Sequence, residues 1–243
     1  MKKKNTKTTM SYSVLTLFIT FIIGQILLSS FPDGNSTGSS ILFILMNLTP
    51  MIVAIIFAKI EKMASVLKNL FLQKESIFAY LMAIGCVFIY YGISTLLGNV
   101  TFTGGTFIMI FSYMPWAILQ GGLEECGWRW YLQPRLAIKP FAGKMLIISV
   151  VWFLWHIPIY RLPWITAASD NYLIFYLMIL GNTFMFGAIR EYSRGAVPCI
   201  LAHVLIDTLA VAMFVQSNLA PVMIVAVIEI ALSIISVSCL KKK

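Results

Sequence analysis

Long apolar runs dominate this chain and direct it into a membrane. Of its 243 residues, 60% are hydrophobic and 11% are charged, whereas soluble domains carry about a quarter charged residues. A helix needs about 20 predominantly apolar residues to cross a bilayer. The runs that approach or reach this length are 14–31, 41–58, 77–97, 106–134, 144–160, 172–189, 196–215 and 219–240.

These runs predict an all-α fold: a polytopic membrane protein with a bundle of about eight transmembrane helices around an intramembrane polar site. The connections between the runs are short and contain turn-forming residues, such as 32–36 and 103–105, and they leave no room for a second domain of ordinary size. Residues 1–243 are therefore predicted to form a single membrane-embedded domain.

The distribution of basic residues predicts the orientation. If the N-terminus is cytoplasmic, all of the 18 Lys and Arg residues except Arg161 fall in loops, tails or helix ends on the cytoplasmic side. The positive-inside rule then places both termini in the cytoplasm. The net charge of +9 is expected to face anionic lipid headgroups, and no nucleic acid is predicted as a partner because aromatic and basic residues do not alternate.

Two glutamates and an arginine interrupt the fourth apolar run, where charge is costly and therefore suggests a function. Glu125 and Arg129 are four residues apart and would pair on one helix face,. Glu124 would point elsewhere, into a cavity, as a carboxylate without a full partner that is suited to general base catalysis. The alternative is a pair of interfacial glutamates reaching towards the cytoplasmic surface.

The two histidines of the chain lie in later apolar runs. His203 and Asp207 are four residues apart, so the carboxylate could orient the imidazole or both could hold one ion,. A rise of 1.5 Å per residue puts Glu124, His156, His203 and Asp207 at comparable depths of ~10–18 Å. Alternatively, His156 only bonds a neighbouring helix, and His203–Asp207 is a structural pair. Glu229, in the last run, has no evident partner or function.

These motifs, in this order on successive helices, resemble the CPBP family of intramembrane proteases, also called the Abi or CAAX-protease-like family. The resemblance implies a protease-like core at about 106–215. The residue four before the histidine is usually Phe in the family and is Trp152 here, which predicts only a packing change. The last motif ends in Asn or Asp in the family. Here it ends in Asp207, which when ionised cannot donate a hydrogen bond to an oxyanion.

The resemblance implies hydrolysis of a peptide bond by one of two mechanisms. In the first, Glu124 assisted by His156 activates a water molecule, while His203, oriented by Asp207, donates to the oxyanion. In the second, His156, His203 and Asp207 or Glu124 hold a divalent ion, most simply Zn²⁺, which carries the attacking water. Glu124 is the predicted base in both, and Glu125 and Arg129 are predicted to support it.

Other functions and partners stay open at this level. A proton or metal transporter, and a non-catalytic bacteriocin-immunity or peptide-binding protein, would also explain buried ionisable residues. For the protease, the predicted substrate is a membrane-anchored, prenylated or amphipathic peptide that enters from surrounding lipid through an opening in the cytoplasmic half of the bilayer. The tryptophans Trp128, Trp130 and Trp155 would line that route or, for the first two, anchor the interface. The predicted location is a bacterial plasma membrane.

Overall fold

The computed structural model describes residues 2–165 and 169–240, with side chains from residue 7 onward. The α-helices are α1 (Lys2–Ser30), α2 (Thr37–Asn47), α3 (Thr49–Ile60), α4 (Val66–Phe71), α5 (Ile77–Leu96), α6 (Phe107–Gln120), α7 (Gln133–Arg135), α8 (Phe141–Tyr160), α9 (Tyr172–Tyr192), α10 (Val197–Leu209) and α11 (Leu219–Leu240). Two strands, β1 (Val100–Phe102) and β2 (Met213–Val215), pair in antiparallel register.

The predicted all-α membrane bundle is confirmed, although its spans differ from the apolar runs. Within the described residues, α1, α5, α8, α9 and α11 are long and apolar enough to cross a membrane. Helices α2 and α3 bend by 53° at their junction and form a sixth span if they are taken together. The prediction of about eight spanning helices was too high because the fourth and seventh runs do not form long helices.

The fourth run is broken in its middle. Helix α6 ends before two consecutive glycines, and the chain continues as a 3-10 turn (Gly122–Glu124), a π-helix (Cys126–Leu132) and the short α7. Glycine weakens helices, and here its missing side chain also admits α10. A Cβ on Gly122 would lie only 2.6 Å from Cγ2 of Val204. The depth calculated for Glu124 assumed a continuous helix, so its basis was wrong.

The seventh run is also shorter than predicted. Helix α10 covers Val197–Leu209, and the last part of the run forms β2. Pro198 stands in the first turn of α10, where its missing N–H leaves no hydrogen bond unsatisfied. The helix is long enough to carry both His203 and Asp207 beside the break in the fourth run.

The two ends of the bundle can be distinguished by their contacts. At the basic end, Arg135 pairs with Glu61 at 3.0 Å, and the carboxylate of Glu75 accepts backbone N–H bonds from the loop before α10. At the opposite end, β1 pairs with β2, and Gly34 packs against the indole of Trp164. The side chains of residues 2–4 and the lysines 241–243, which the charge pattern used, lie outside the described residues.

Candidate active site

Glu124 lies at the end of the 3-10 turn and is almost fully buried, with 2% of its surface exposed. Its Oε2 atom accepts two hydrogen bonds, from Nε1 of Trp128 at 2.9 Å and from Nε1 of Trp152 at 3.0 Å. Its Oε1 atom lies 3.5 Å from Nε2 of His203. The two indoles hold one carboxylate oxygen and leave the other directed towards the imidazole.

The neighbouring Glu125 is also buried, and it pairs with Arg129 and with the other ring nitrogen of His203. Its Oε2 accepts from Nε of Arg129 at 2.8 Å, as the i, i+4 spacing predicts. Its Oε1 lies 2.9 Å from Nδ1 of His203 and, as a carboxylate oxygen, accepts that ring's N–H,. Arg129 also donates from Nη1 to the carbonyl of Thr183. Glu125 therefore orients the imidazole, a role that the sequence analysis assigned to Asp207.

Asp207 is near the second ring nitrogen of His203, Nε2, which Glu124 also faces. Its Oδ2 is 3.7 Å from Nε2 of His203, and its side chain is 25% exposed, compared with 1% for Glu124. The predicted proximity of His203 and Asp207 is present. Because Nδ1 is already held by Glu125, both Glu124 and Asp207 face the nitrogen that remains available for chemistry.

The break at Gly121 makes this arrangement possible. A Cβ on Gly121 would overlap Oδ2 of Asp207 and lie 3.1 Å from Nε2 of His203. The backbone of the fourth run therefore passes directly beside the two side chains of α10. The π-helix that follows is a rare form that occurs frequently at functional sites. It carries Trp128 and Arg129, one partner for each glutamate.

His156 stands apart from this cluster. Its Nδ1 lies 2.8 Å from the carbonyl oxygen of Trp152, to which it donates. The ring of Trp152 packs against both His156 and His203, with a centroid distance of 5.5 Å to each. None of the hydrogen bonds among the described side chains joins His156 to Glu124. The structure thus brings Glu124, Glu125, His203 and Asp207 into contact and places His156 behind an indole.

A cavity of about 520 Å³ connects these residues, since Glu124, His156, His203 and Asp207 all line it. Ten of the 23 residues that line it are aromatic, and these are Phe43, Tyr90, Tyr113, Trp116, Trp152, Trp155, Tyr160, Trp164, Phe175 and Phe186. Tyr160 ends α8 and Trp164 packs on Gly34. The cavity therefore extends from the polar cluster towards the end opposite to the basic end, and the opening in the cytoplasmic half stays a prediction.

The structure contradicts the interfacial interpretation of the two glutamates and the positions considered for two of the tryptophans. Glu124 and Glu125 are 2% and 0% exposed, so their side chains do not extend to the membrane surface. Trp128 and Trp130, considered as interfacial anchors or lining of the substrate route, are 0% and 5% exposed and are not among the residues lining the cavity. Trp152 is more than a packing change, because it supplies a hydrogen-bond donor that Phe lacks.

The described residues do not fit a metal centre. They contain no group of three His, Cys, Asp or Glu side chains arranged to hold an ion. The Zn²⁺ site therefore stays a prediction, and no step below uses a metal.

One family model matches the chain. It is described as "Type II CAAX prenyl endopeptidase Rce1-like" and covers residues 105–209. The matched segment includes the broken fourth run and ends two residues beyond Asp207, so it contains Glu124, Glu125, His156, His203 and Asp207. The match agrees with the CAAX-protease-like resemblance noted from the motifs. No curated protein matches the chain.

Proposed function

We propose that this integral membrane protein, a member of the CAAX-protease-like family through residues 105–209, is an intramembrane endopeptidase with Glu124 as its general base. The observation that carries the proposal is the environment of that carboxylate. Oε2 is held by two indole N–H groups, while Oε1 faces Nε2 of His203 across 3.5 Å. One oxygen is fixed, and the other is available to a water molecule.

In the proposed reaction, Oε1 of Glu124 removes a proton from water, and the water oxygen forms a bond to the scissile carbonyl carbon. His203 is an imidazolium in this step, with Nδ1–H bonded to Glu125, so its Nε2–H is free to donate to the oxygen on which negative charge develops. The C–N bond then breaks, and the proton held by Glu124 passes to the leaving amine. Water is consumed, and a carboxylate and an amine are produced.

The remaining residues of the site position Glu124 and His203 for this reaction. Glu125 accepts the Nδ1–H of His203 and is itself held by Arg129, so the imidazole has a fixed direction,. Asp207 holds Nε2 until the substrate carbonyl replaces it. His156, whose Nδ1 is bonded to the carbonyl of Trp152, contacts the peptide with its other nitrogen. Because this arrangement needs no ion, the proposal is the glutamate-dependent mechanism.

The cavity suits a substrate with a large apolar group. Aromatic and aliphatic side chains together make up most of its lining, and such surfaces bind apolar chains through the hydrophobic effect. We therefore assign a membrane-associated peptide that carries a prenyl group as the substrate class. The basic residues assign the termini and the basic end to the cytoplasm, and the short loops suit a bacterial plasma membrane.

The test is hydrolysis by the purified chain in liposomes of a farnesylated peptide ending in a CAAX sequence, in water enriched in ¹⁸O. We expect release of the C-terminal tripeptide and one ¹⁸O atom in the new carboxyl group, detected by mass spectrometry. The same peptide without the farnesyl group should be cleaved at least about tenfold more slowly, since its apolar contacts are lost. Binding of the farnesylated peptide without cleavage would contradict the proposal and favour a peptide-binding protein.

A further inference from the structure

Helix α9 presents one face to the cavity. Phe175, Met178, Ile179, Asn182 and Phe186 all line it, at the spacing of a single helical stripe,. Four of these five side chains are apolar, and Asn182 is the polar exception. An amide on an otherwise apolar wall needs a partner, because an unsatisfied buried polar group costs about 1–3 kcal/mol.

Asn182 differs from the other amides of the cavity in its hydrogen bonds. The amide of Asn47 donates to the carbonyl of Phe43 at 2.8 Å, and that of Gln120 donates to the hydroxyl of Tyr113 at 2.5 Å. The Oδ1 atom of Asn182 is buried and has no hydrogen-bond partner within the described part of the chain. The oxygen can only accept, but the Nδ2 group of the same amide also takes part in none of the hydrogen bonds among the described residues,. Its N–H groups are therefore available as donors to a molecule that enters the cavity.

The position of Asn182 connects it with the reacting end of the cavity. Phe186, one turn further along α9, packs on His203 with a ring centroid distance of 5.4 Å. One helical turn rises about 5.4 Å, so the amide lies one turn from the residue in contact with the imidazole. A peptide in the cavity would pass between α9 and α10 at this level.

His203 and Asp207 do not supply enough hydrogen-bond donors for the oxyanion of the proposed reaction. The tetrahedral intermediate carries an oxyanion, which needs hydrogen-bond donors. His203 offers one, but an ionised Asp207 offers none because a carboxylate only accepts. A second neutral donor must come from elsewhere on the cavity wall, and Asn182 is the amide there whose hydrogen bonding is incomplete.

We propose that Asn182 is a catalytic residue, whose amide N–H donates to the oxyanion and supplies the donor that Asp207 lacks. This inference rests on the proposed endopeptidase function. Asn182 and His203 then hold the oxyanion from two helices, while Glu124 delivers the water from the fourth run. The amide acts on the transition state, so its effect falls on kcat more than on KM.

The test is Asn182→Leu, which keeps a similar volume and removes the hydrogen-bonding groups. With the farnesylated peptide we expect kcat to fall by about 10²–10³-fold, the loss measured for one oxyanion donor, with KM changed less than about threefold. Affinity for a farnesylated peptide phosphinate, which imitates the tetrahedral state, should fall by a similar factor, while affinity for the cleaved peptide stays the same. Leu180→Met is the control, because Leu180 is two residues away on α9 and is not among the residues lining the cavity; this variant should retain the parental kcat.

The outcomes separate this inference from the proposed function. If Asn182→Leu retains the parental kcat while Glu124→Gln is inactive, Asn182 is not a catalytic residue but the endopeptidase assignment stands. If Asn182→Leu loses affinity for the phosphinate and the cleaved peptide equally, or fails to fold where Leu180→Met folds, Asn182 is structural and the inference is wrong. If Glu124→Gln cleaves normally, the function itself is refuted.

Discussion

Two buried carboxylates in this protein, those of Glu124 and Glu229, have opposite surroundings. Glu124 accepts two indole N–H bonds and faces an imidazole, and its neighbour Glu125 pairs with Arg129 and His203. Glu229, on α11, is 1% exposed, and its Oε1 has no hydrogen-bond partner among the described residues. Burial is equal at both places, so burial alone does not mark a catalytic carboxylate. The difference is the set of donors aimed at it.

The surroundings of Glu229 explain how it is tolerated. It packs against α9 at Gly181, where an added Cβ would overlap its Oε2. It also borders a small cavity of about 10 Å³ together with Ser94, whose hydroxyl is likewise unpaired among the described residues. A void of this size is at the lower limit for one water molecule. Among the described residues, no indole or imidazole N–H bonds the carboxylate of Glu229, in contrast to Glu124.

The largest expected effect concerns stability and contrasts the two regions directly. Arg129→Met leaves Glu125 buried without its cation, so we expect the free energy of unfolding to fall by about 3–5 kcal/mol. Glu229→Met removes an unpaired carboxylate and should leave stability unchanged or raise it. Denaturant unfolding in detergent micelles measures both.

A double variant sharpens this prediction. Adding Glu125→Gln to Arg129→Met removes the orphaned charge and should restore part of the lost stability. Equal stability of Arg129→Met and the parent protein would show that the Glu125–Arg129 pair does not hold the site together.

The next largest effect is expected for a substitution of Gly121, which lies beside Asp207 and His203. Gly121→Ala introduces a methyl group that overlaps Asp207 and lies 3.1 Å from Nε2 of His203. A displacement of about 1 Å in a catalytic group can cost about 10²-fold in rate, so we expect a loss of this order in kcat/KM. The control is Gly85→Ala, where an added Cβ has no neighbour within 4 Å. Equal activity of the two variants would contradict the close approach at Gly121.

The sequence was most informative where partners are near one another in the chain. Glu125–Arg129 and His203–Asp207 are i, i+4 pairs, and helical geometry alone predicts both. The bond from His203 to Glu125 joins residues 78 positions apart, and no local pattern contains it. The break at Gly121 was also missed, because the apolar run continues through it and hydropathy does not report backbone conformation.

The two indoles that donate to Glu124 were missed in the sequence for a related reason. Trp128 precedes Arg129 and was interpreted as an interfacial or route-lining residue, but its ring turns inward, where it is fully buried. Side-chain direction depends on the π-helix, which shifts residues relative to an ordinary helix. The i, i+4 spacing from Glu124 to Trp128 was the available signal.

A smaller effect is expected for the second indole. Trp152→Phe removes one hydrogen bond to Oε2 of Glu124 and keeps an aromatic ring at that position. A hydrogen bond to a charged group contributes about 1.5–3 kcal/mol, so kcat/KM should fall by about tenfold or more. Trp130→Phe is the matched control, because Trp130 is outside the cavity lining and is not one of the two indoles that bond Glu124. An unchanged rate for Trp152→Phe would mean that the indole does not position the carboxylate.

The smallest expected effect is that of metal removal. Because the proposed step uses Glu124 without an ion, dialysis against EDTA and 1,10-phenanthroline should change the cleavage rate by less than about twofold. The readout is hydrolysis of the farnesylated peptide before and after treatment. A loss that added Zn²⁺ restores would contradict the glutamate-dependent mechanism and support the predicted metal centre.

The most direct test of Glu124 as the base compares two carboxylate-to-amide changes in one cleavage assay. Glu124→Gln and Glu229→Gln each replace a buried carboxylate by a group of equal size that cannot take a proton from water. We predict that Glu124→Gln loses at least about 10³-fold in kcat, within the range for general base catalysis, while Glu229→Gln cleaves at the parental rate. Cleavage by Glu124→Gln at the parental rate would contradict the account.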